Sequence, residues 1–236
     1  TEFTEENSIL TAKSDENGVF EFFNIPYGQY IVCELRPAEG YLPNAETYSV
    51  TVSKNEEVIE ITVENDKIPE LKTTATVGGE KEVTAGETVT IDDVVSFRHL
   101  VPNKEYTLKG VLMDKKTGNP LLVDGKEITA EKTFKANGEN ETVELEFTFD
   151  ASALKGTTTV VFENLYEGEN EIGTHADLED EGQTVEIPEI GTTLIGKDSQ
   201  IHVINADEKI TLVDTVKYKG LEKGREYKVD GVLYDK

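Results

Sequence analysis

The chain has 236 residues, with 48 acidic against 23 basic side chains and a formal net charge of −25. A balance this acidic argues against nucleic acid and anionic membrane surfaces as partners, since both require clustered Lys and Arg. The one cysteine, Cys33, rules out an intramolecular disulfide, and no apolar run reaches membrane length.

Taken in chain order, the predicted elements are short alternating strands between turn signals. The turns "DENG" at 15–18, "PYG" at 26–28 and "AEGY" at 38–41 divide the first 67 residues. Cys33 sits in "YIVCEL", where a small hydrophobe on a strand is the expected role. In "VIEITVEN" at 58–65, alternation places Asn65 on the face of Ile59, Ile61 and Val63. In "LKTTATV" at 71–77, Thr73 shares a face with Leu71, Ala75 and Val77, while Thr74 points the other way. In "TIDDVVSF" at 90–97, Asp93 aligns with Ile91, Val95 and Phe97, leaving Asp92 outside. Hairpin turns follow at "KTGNP" (116–120) and "VDGKE" (123–127), and Asp114 belongs to the first of them. "DASALKG" at 150–156 predicts one helical turn, capped by Asp150 and ended by Gly156. "TVVFENLY" at 159–166 carries Glu163 mid-strand between apolar neighbours, which predicts burial. "HADLEDEGQT" at 175–184 is an acidic loop that leads into the strand "TVEI", with Gln183 on the face of Val185 and Ile187. The fold class is all-β: tandem β-sandwich modules in an elongated array.

An internal repeat sets the organisation. "IPELKTT" at 68–74 returns as "IPEIGTT" at 187–193, and residues 91–115 align without gaps to 212–236. Ten of those 25 positions are identical: Asp93, Val95, Leu100, Glu105, Tyr106, Gly110, Val111, Leu112, Asp114 and Lys115. The expected domains are a distinct β-module over 1–67, a complete unit over 68–187, and the N-terminal part of a second unit over 188–236. Stiff "IPE" segments join them. The chain opens and closes within patterned segments, which predicts a piece of a longer protein.

One threonine, two carboxylates, a histidine and a glutamine are thereby candidates for the interior of the complete unit. Buried carboxylates are costly unless paired or protonated, and two side by side tend to share one proton. Such a pair polarises an amide carbonyl while a histidine accepts a hydroxyl proton. Thr73 is then a nucleophile and Gln183 its electrophile; the product is an ester, with ammonia lost.

Several polar residues invite blander readings. His99 and His202 are expected to face solvent, and Thr90 and Thr211 to be ordinary strand threonines. Asp177, Glu179 and Asp180 suggest calcium by their oxygen ligands, but their spacing is not that of an EF-hand, so a solvated turn held by local side-chain bonds is expected. Asp235 repeats the hairpin role of Asp114. No metal and no cofactor is expected.

Across most of 68–187 the sequence resembles the intramolecular Thr–Gln ester-bond, immunoglobulin-like domains of Gram-positive surface adhesins. The resemblance rests on "TT" in the first strand, the "DxVxF" acid, "VVFE" and "HxDxxDxxQT". It implies Thr73 and Gln183 as the cross-linked pair, Asp93 and Glu163 as proton-sharing acids, and His175 as the assisting histidine. Residues 1–67 resemble a collagen-adhesin B-type (prealbumin-like) domain through "SDENGVFEFFNIPYGQYIVCELRPAEGYL". That resemblance implies Glu34 and Asn65 as part of an isopeptide site. The lysine strand would lie upstream and Lys13 is misplaced for it, so no isopeptide bond is expected. The second repeat keeps Thr192 and Asp214 but lacks counterparts of Glu163, His175 and Gln183, so it cannot close its own ester.

The expected function is structural: a stalk segment of a cell-wall-anchored adhesin on a Gram-positive surface, made mechanically and protease resistant by the ester. Its partners would be neighbouring modules of the same chain, with any host ligand bound through distal domains and no membrane insertion. The alternative is a module that itself grips a host glycan or protein. A turnover enzyme fits worst, because nucleophile and electrophile share one chain and react once.

Overall fold

The computed structural model describes residues 3–83, 88–202, 209–221 and 224–234. Fourteen strands are assigned among them, and the only helical element is one 3-10 turn. The hydrophobic core runs in sequence from Ala75 to Ile187, and the buried prolines Pro69 and Pro188 flank it.

That core lies between two antiparallel sheets. One has the order β3 (Glu70–Thr76), β4 (Thr88–Arg98), β9 (Glu141–Asp150). The other has the order β11 (Asn170–His175), β10 (Thr157–Glu167), β5 (Glu105–Asp114), β8 (Thr129–Lys135). In β4 and β9 the alternating side chains Val89, Ile91, Val95 and Phe97 meet Val143, Leu145, Phe147 and Phe149 on the inner face. Burying such rows is the main stabilising term of a sandwich. The "VDGKE" hairpin joins β6 (Leu122–Val123) to β7 (Lys126–Glu127), with Asp124 at φ 52° and Gly125 at φ 75°. Two successive positive φ values are what a two-residue hairpin turn demands, and Asp-Gly meets that demand at low cost.

The last strand of this unit, β12 (Thr184–Ile187), shares an edge of β10 with β11. It pairs with Thr157–Val160, while β11 pairs with Glu163–Glu167. The two strands therefore lie end to end along β10, and the loop 176–183 spans the step between them. Glu163 stands at that step, opposite His175 in the β10–β11 register.

Outside the core the chain is more open. Residues 3–67 contain the pair β1 (Gly28–Cys33) and β2 (Thr47–Val52), and no described residue there is fully buried. The strand expected at 58–65 forms no ladder: the alternation sets its faces, but a ladder also needs a neighbouring backbone with free donors and acceptors. β13 (Glu189–Gly196) and β14 (Leu212–Lys219) pair as an antiparallel ladder. Its register copies β3–β4, since Thr192 faces Val216 as Thr73 faces Val95, and Leu194 faces Asp214 as Ala75 faces Asp93.

The turn expected at 150–156 is a 3-10 turn over Ser152–Leu154. Ala151 occupies the cap position without a side-chain bond, and Asp150 Oδ1 accepts from the Ser152 amide at 2.8 Å. A three-residue turn exposes few orphan amides, so this local bond serves in place of a full helix cap. Asp114 behaves as expected of a hairpin turn, its Oδ1 accepting from the amides of Lys116 and Thr117. Asp235 lies outside the described residues. His202 is exposed, with Nδ1 2.8 Å from the Leu194 carbonyl oxygen, while His99 is half-buried at φ 64°.

Candidate functional site

Alternation along β3, β4 and β10 carries three polar side chains into the core. Thr73 is 4 % exposed, Asp93 0 % and Glu163 1 %. Thr73 Oγ1 lies 3.0 Å from Asp93 Oδ1 and 3.3 Å from Glu163 Oε1, so one hydroxyl touches acids from both sheets. Thr74 points outward and returns its hydroxyl to the Thr73 carbonyl.

The two carboxyls perturb each other. Burial, then the neighbouring Asp93 charge, pushes Glu163 up to about 11. Burial also pushes Asp93 up, offset in part by hydrogen bonds from Glu163 and Thr73 and by the charges of His175 and Lys81. At neutral pH the pair therefore keeps a proton, and Glu163 is its holder. The Thr73 hydroxyl donates toward the Asp93 carboxylate.

Gln183 is fully buried, one residue before β12 begins. Its backbone is held on both sides: its amide donates to the Asp180 carbonyl, and its carbonyl accepts from the Val161 amide. Its side-chain Oε1 and Nε2 have no hydrogen-bond partner among the described residues. Leaving such groups buried and unpaired costs about 1–3 kcal/mol. The preceding residue, Gly182, accepts a hydrogen bond from the Ala75 amide at 3.0 Å. A Cβ on Gly182 would lie 2.9 Å from Asp180 Oδ1 but at ordinary contact distance, 3.6 Å, from the Thr73 carbonyl oxygen, so a side chain here would displace the Asp180 carboxylate rather than β3. The chain segments bearing Thr73 and Gln183 thus meet where the two sheets join.

His175 is half-buried at the end of β11, and its Nε2 lies 2.8 Å from Asp180 Oδ2. Burial raises the Asp180 carboxyl, but its bonds to His175 and the Gly182 amide prevail and hold it below the usual range. As a carboxylate Asp180 only accepts, so the His175 Nε2 carries the proton of this bond. The expected direct contact of histidine with the threonine hydroxyl is replaced here by the Thr73–Asp93 bond. Asp177 Oδ1 accepts from the Glu179 amide, as a locally braced turn requires. No cluster of His, Cys, Asp and Glu able to hold a metal occurs among the described residues.

Two contributors are not evident from alternation. Asp180 looks like one acid among several in "DLEDE", yet it holds His175, the Gly182 amide and, through its carbonyl, Thr184 Oγ1. Lys81, in the turn segment after Gly78-Gly79, sends its ammonium to the carbonyls of Ala75 and Gly182. Charged turn residues ordinarily face water, and only the fold shows this one turned inward.

Elsewhere, Asn65 Nδ2 donates to Glu34 Oε1 and Oε2 at 3.0 and 2.9 Å and to the Leu42 carbonyl at 3.1 Å. The two residues expected at an isopeptide site are in contact. In the second repeat, Thr192 and Asp214 are both exposed on their ladder.

Comparison with known proteins follows the same division of the chain. The prealbumin-like fold domain family matches residues 2–67. None of the curated proteins matches. Among solved structures, an adhesin from Mobiluncus mulieris, described as containing intramolecular disulfide, isopeptide and ester bond cross-links, aligns at 16 % identity. The alignment covers 65 % of this chain and 75 % of that one, with a TM-score of 0.46. A variant of the major pilin subunit of Bacillus cereus aligns at 14 % identity over 87 % of this chain and 74 % of that one, with a TM-score of 0.41. Similarity at this level bears on neither protein's activity as a guide to this one. The T-Q ester bond containing domain family matches residues 69–187 and again 188–236, and the chain belongs to that family.

Proposed function

We propose that Thr73 and Gln183 form an intramolecular ester, and that the chain is a load-bearing stalk segment of a Gram-positive surface adhesin. The observation that carries the cross-link is the buried, unpartnered Gln183 amide, on a segment bonded through Gly182 to the strand of a threonine whose hydroxyl touches two acids. An orphan amide in a core is a liability, and esterification expels its nitrogen as ammonia.

In the proposed reaction Asp93 takes the Thr73 proton as Oγ1 attacks Cδ of Gln183, while the Glu163 acid polarises the amide carbonyl. The Oγ1–Cδ bond forms, the Cδ–Nε2 bond breaks, and the hydroxyl proton leaves with the nitrogen as ammonia. His175, held by Asp180, assists that transfer as an electrostatic neighbour of Asp93. The site reacts once, so the role is structural rather than catalytic turnover.

The proposed modules are 1–67, 68–187 and 188–236. Within the middle one the bond would tie its first strand to the residue entering its last. It would close a loop of 110 residues, the separation of positions 73 and 183. On the order of 380 Å of chain would be shielded from extension. Closing such a loop lowers the entropy of the unfolded chain, worth about 4–5 kcal/mol by analogy with disulfides. Membership of the ester-bond family and the tandem repeat support a cross-linked role outside the cell, where a chain with one cysteine needs a staple other than an internal disulfide.

Intact-mass measurement of the whole chain tests the cross-link. The wild type should weigh about 17 Da less than its sequence, the mass of one ammonia, and Thr73→Ala and Gln183→Ala should each restore the full mass. A wild-type protein at full sequence mass after incubation at neutral pH would overturn the proposal.

A further inference from the structure

We infer that Lys81 is a positioning residue for the cross-link: its ammonium clamps the strand bearing Thr73 to the segment bearing Gln183. This rests on the ester reading above and adds to it a residue outside the threonine, glutamine, acids and histidine.

The geometry is specific. The segment 77–83 leaves β3 through a tight turn, closed by hydrogen bonds in both directions between Val77 and Glu80. It then runs along the free edge of β12, where the Glu186 amide donates to the Lys81 carbonyl and the Val83 amide to the Glu186 carbonyl. With its backbone fixed on the last strand, Lys81 reaches back across the joint. Its Nζ donates to the carbonyls of Ala75, two residues from the nucleophile, and Gly182, one residue before the electrophile.

Gly182 is also the acceptor of the Ala75 amide. Lys81 therefore doubles a backbone link between β3 and the Gln183 segment, and it supplies a donor to the Ala75 carbonyl at the edge of β3. A half-buried ammonium bound to two backbone carbonyls is a fixed strut, because a charged donor forms stronger bonds than a neutral one. Its charge also favours the ionised form of Asp93, and the other titratable groups acting on that acid are Glu163 and His175. Lys81 thus holds the reacting segments in place and helps keep the proton acceptor charged.

The test compares ammonia loss in the full chain for wild type, Lys81→Arg, Lys81→Gln and Lys81→Met, by intact mass over time and across pH. Misplacing reacting groups by an ångström can slow reaction by about a hundredfold. Lys81→Met should accordingly convert roughly ten- to a hundredfold more slowly than wild type, and Lys81→Arg should recover most of the rate. Lys81→Gln keeps a neutral donor for both carbonyls, so it also reports if Lys81→Met fails to fold. Its acid limb should move to higher pH, because Asp93 loses a stabilising charge; a purely structural lysine would leave that limb in place. Wild-type protein at full mass would refute the ester reading itself. Normal ammonia loss in wild type with equal rates and unchanged pH limbs in Lys81→Met or Lys81→Gln would refute the clamp alone.

Discussion

Replacing Glu163 with glutamine should abolish the cross-link and yet stabilise the uncrosslinked fold, in a manner set by pH. In the unfolded chain Glu163 ionises near its ordinary value of 4.5, whereas in the fold burial and the Asp93 charge push it up to about 11. A raised acid favours the fold in its protonated form, so its contribution is complete below pH 4.5 and is lost as pH rises toward the folded value. At pH 7 the loss spans two and a half pH units at about 1.4 kcal/mol each, on the order of 3 kcal/mol. Glutamine cannot ionise in either state and removes this penalty. The comparison protein is Gln183→Met, which also cannot form the ester but keeps both acids. Intact mass should show Glu163→Gln at full sequence mass. Urea unfolding should show its stability gaining on that of Gln183→Met by about 1.4 kcal/mol per pH unit between pH 5 and 7. Loss of about 17 Da by Glu163→Gln, or a stability gap that does not change with pH, would refute the reasoning.

Other expectations are equally direct. Residues 1–236 should lose one ammonia and not two or three, since they contain one expected set of threonine, acids, histidine and glutamine; a double loss by intact mass would overturn this. Asp180→Ala should cost about 1–3 kcal/mol in urea unfolding, because it strands His175 and the Gly182 amide. The Asp180 contribution is present above pH 3.8 and fades as pH falls through its lowered folded value, so the difference from wild type should shrink in acid. Gly110→Ala would place a Cβ 2.5 Å from Phe147 Cζ and 2.9 Å from Leu145 Cδ1. The expected overpacking cost is about 1–3 kcal/mol, read from the shift in urea midpoint. Lys104 pairs with Asp66 at 3.4 Å and Glu167 at 3.0 Å at a partly exposed position. Lys104→Ala should therefore change stability by less than about 1 kcal/mol.

Much of the site was legible before any fold was known. A two-residue period is a local property of the strand, so Thr73 and Asp93 could be turned inward from their neighbours alone, while Glu163 was legible from apolar neighbours on both faces of its strand. Gln183 followed from its phase with Val185 and Ile187, although β12 itself begins one residue later. The repeat likewise located Thr192 and Asp214, and the structure gives them the strand register of Thr73 and Asp93.

What the residues could not determine alone is how those inward faces meet. The residue pattern says that Asp93 and Glu163 are inside; only the packing of two sheets brings both within reach of one hydroxyl. It says nothing of the step on β10 where β11 gives way to β12, which sets His175 opposite Glu163 and sends Gln183 past β3. Nor does it separate Asp180 from the other acids of its loop, which takes the folding of that loop back onto His175, or turn Lys81 inward, which takes a bond to Gly182, 101 positions away in sequence. Chain pattern determines which side of a strand a residue occupies. The joining of sheets determines its neighbours, and with them the proton held on Glu163 and the unpaired amide of Gln183.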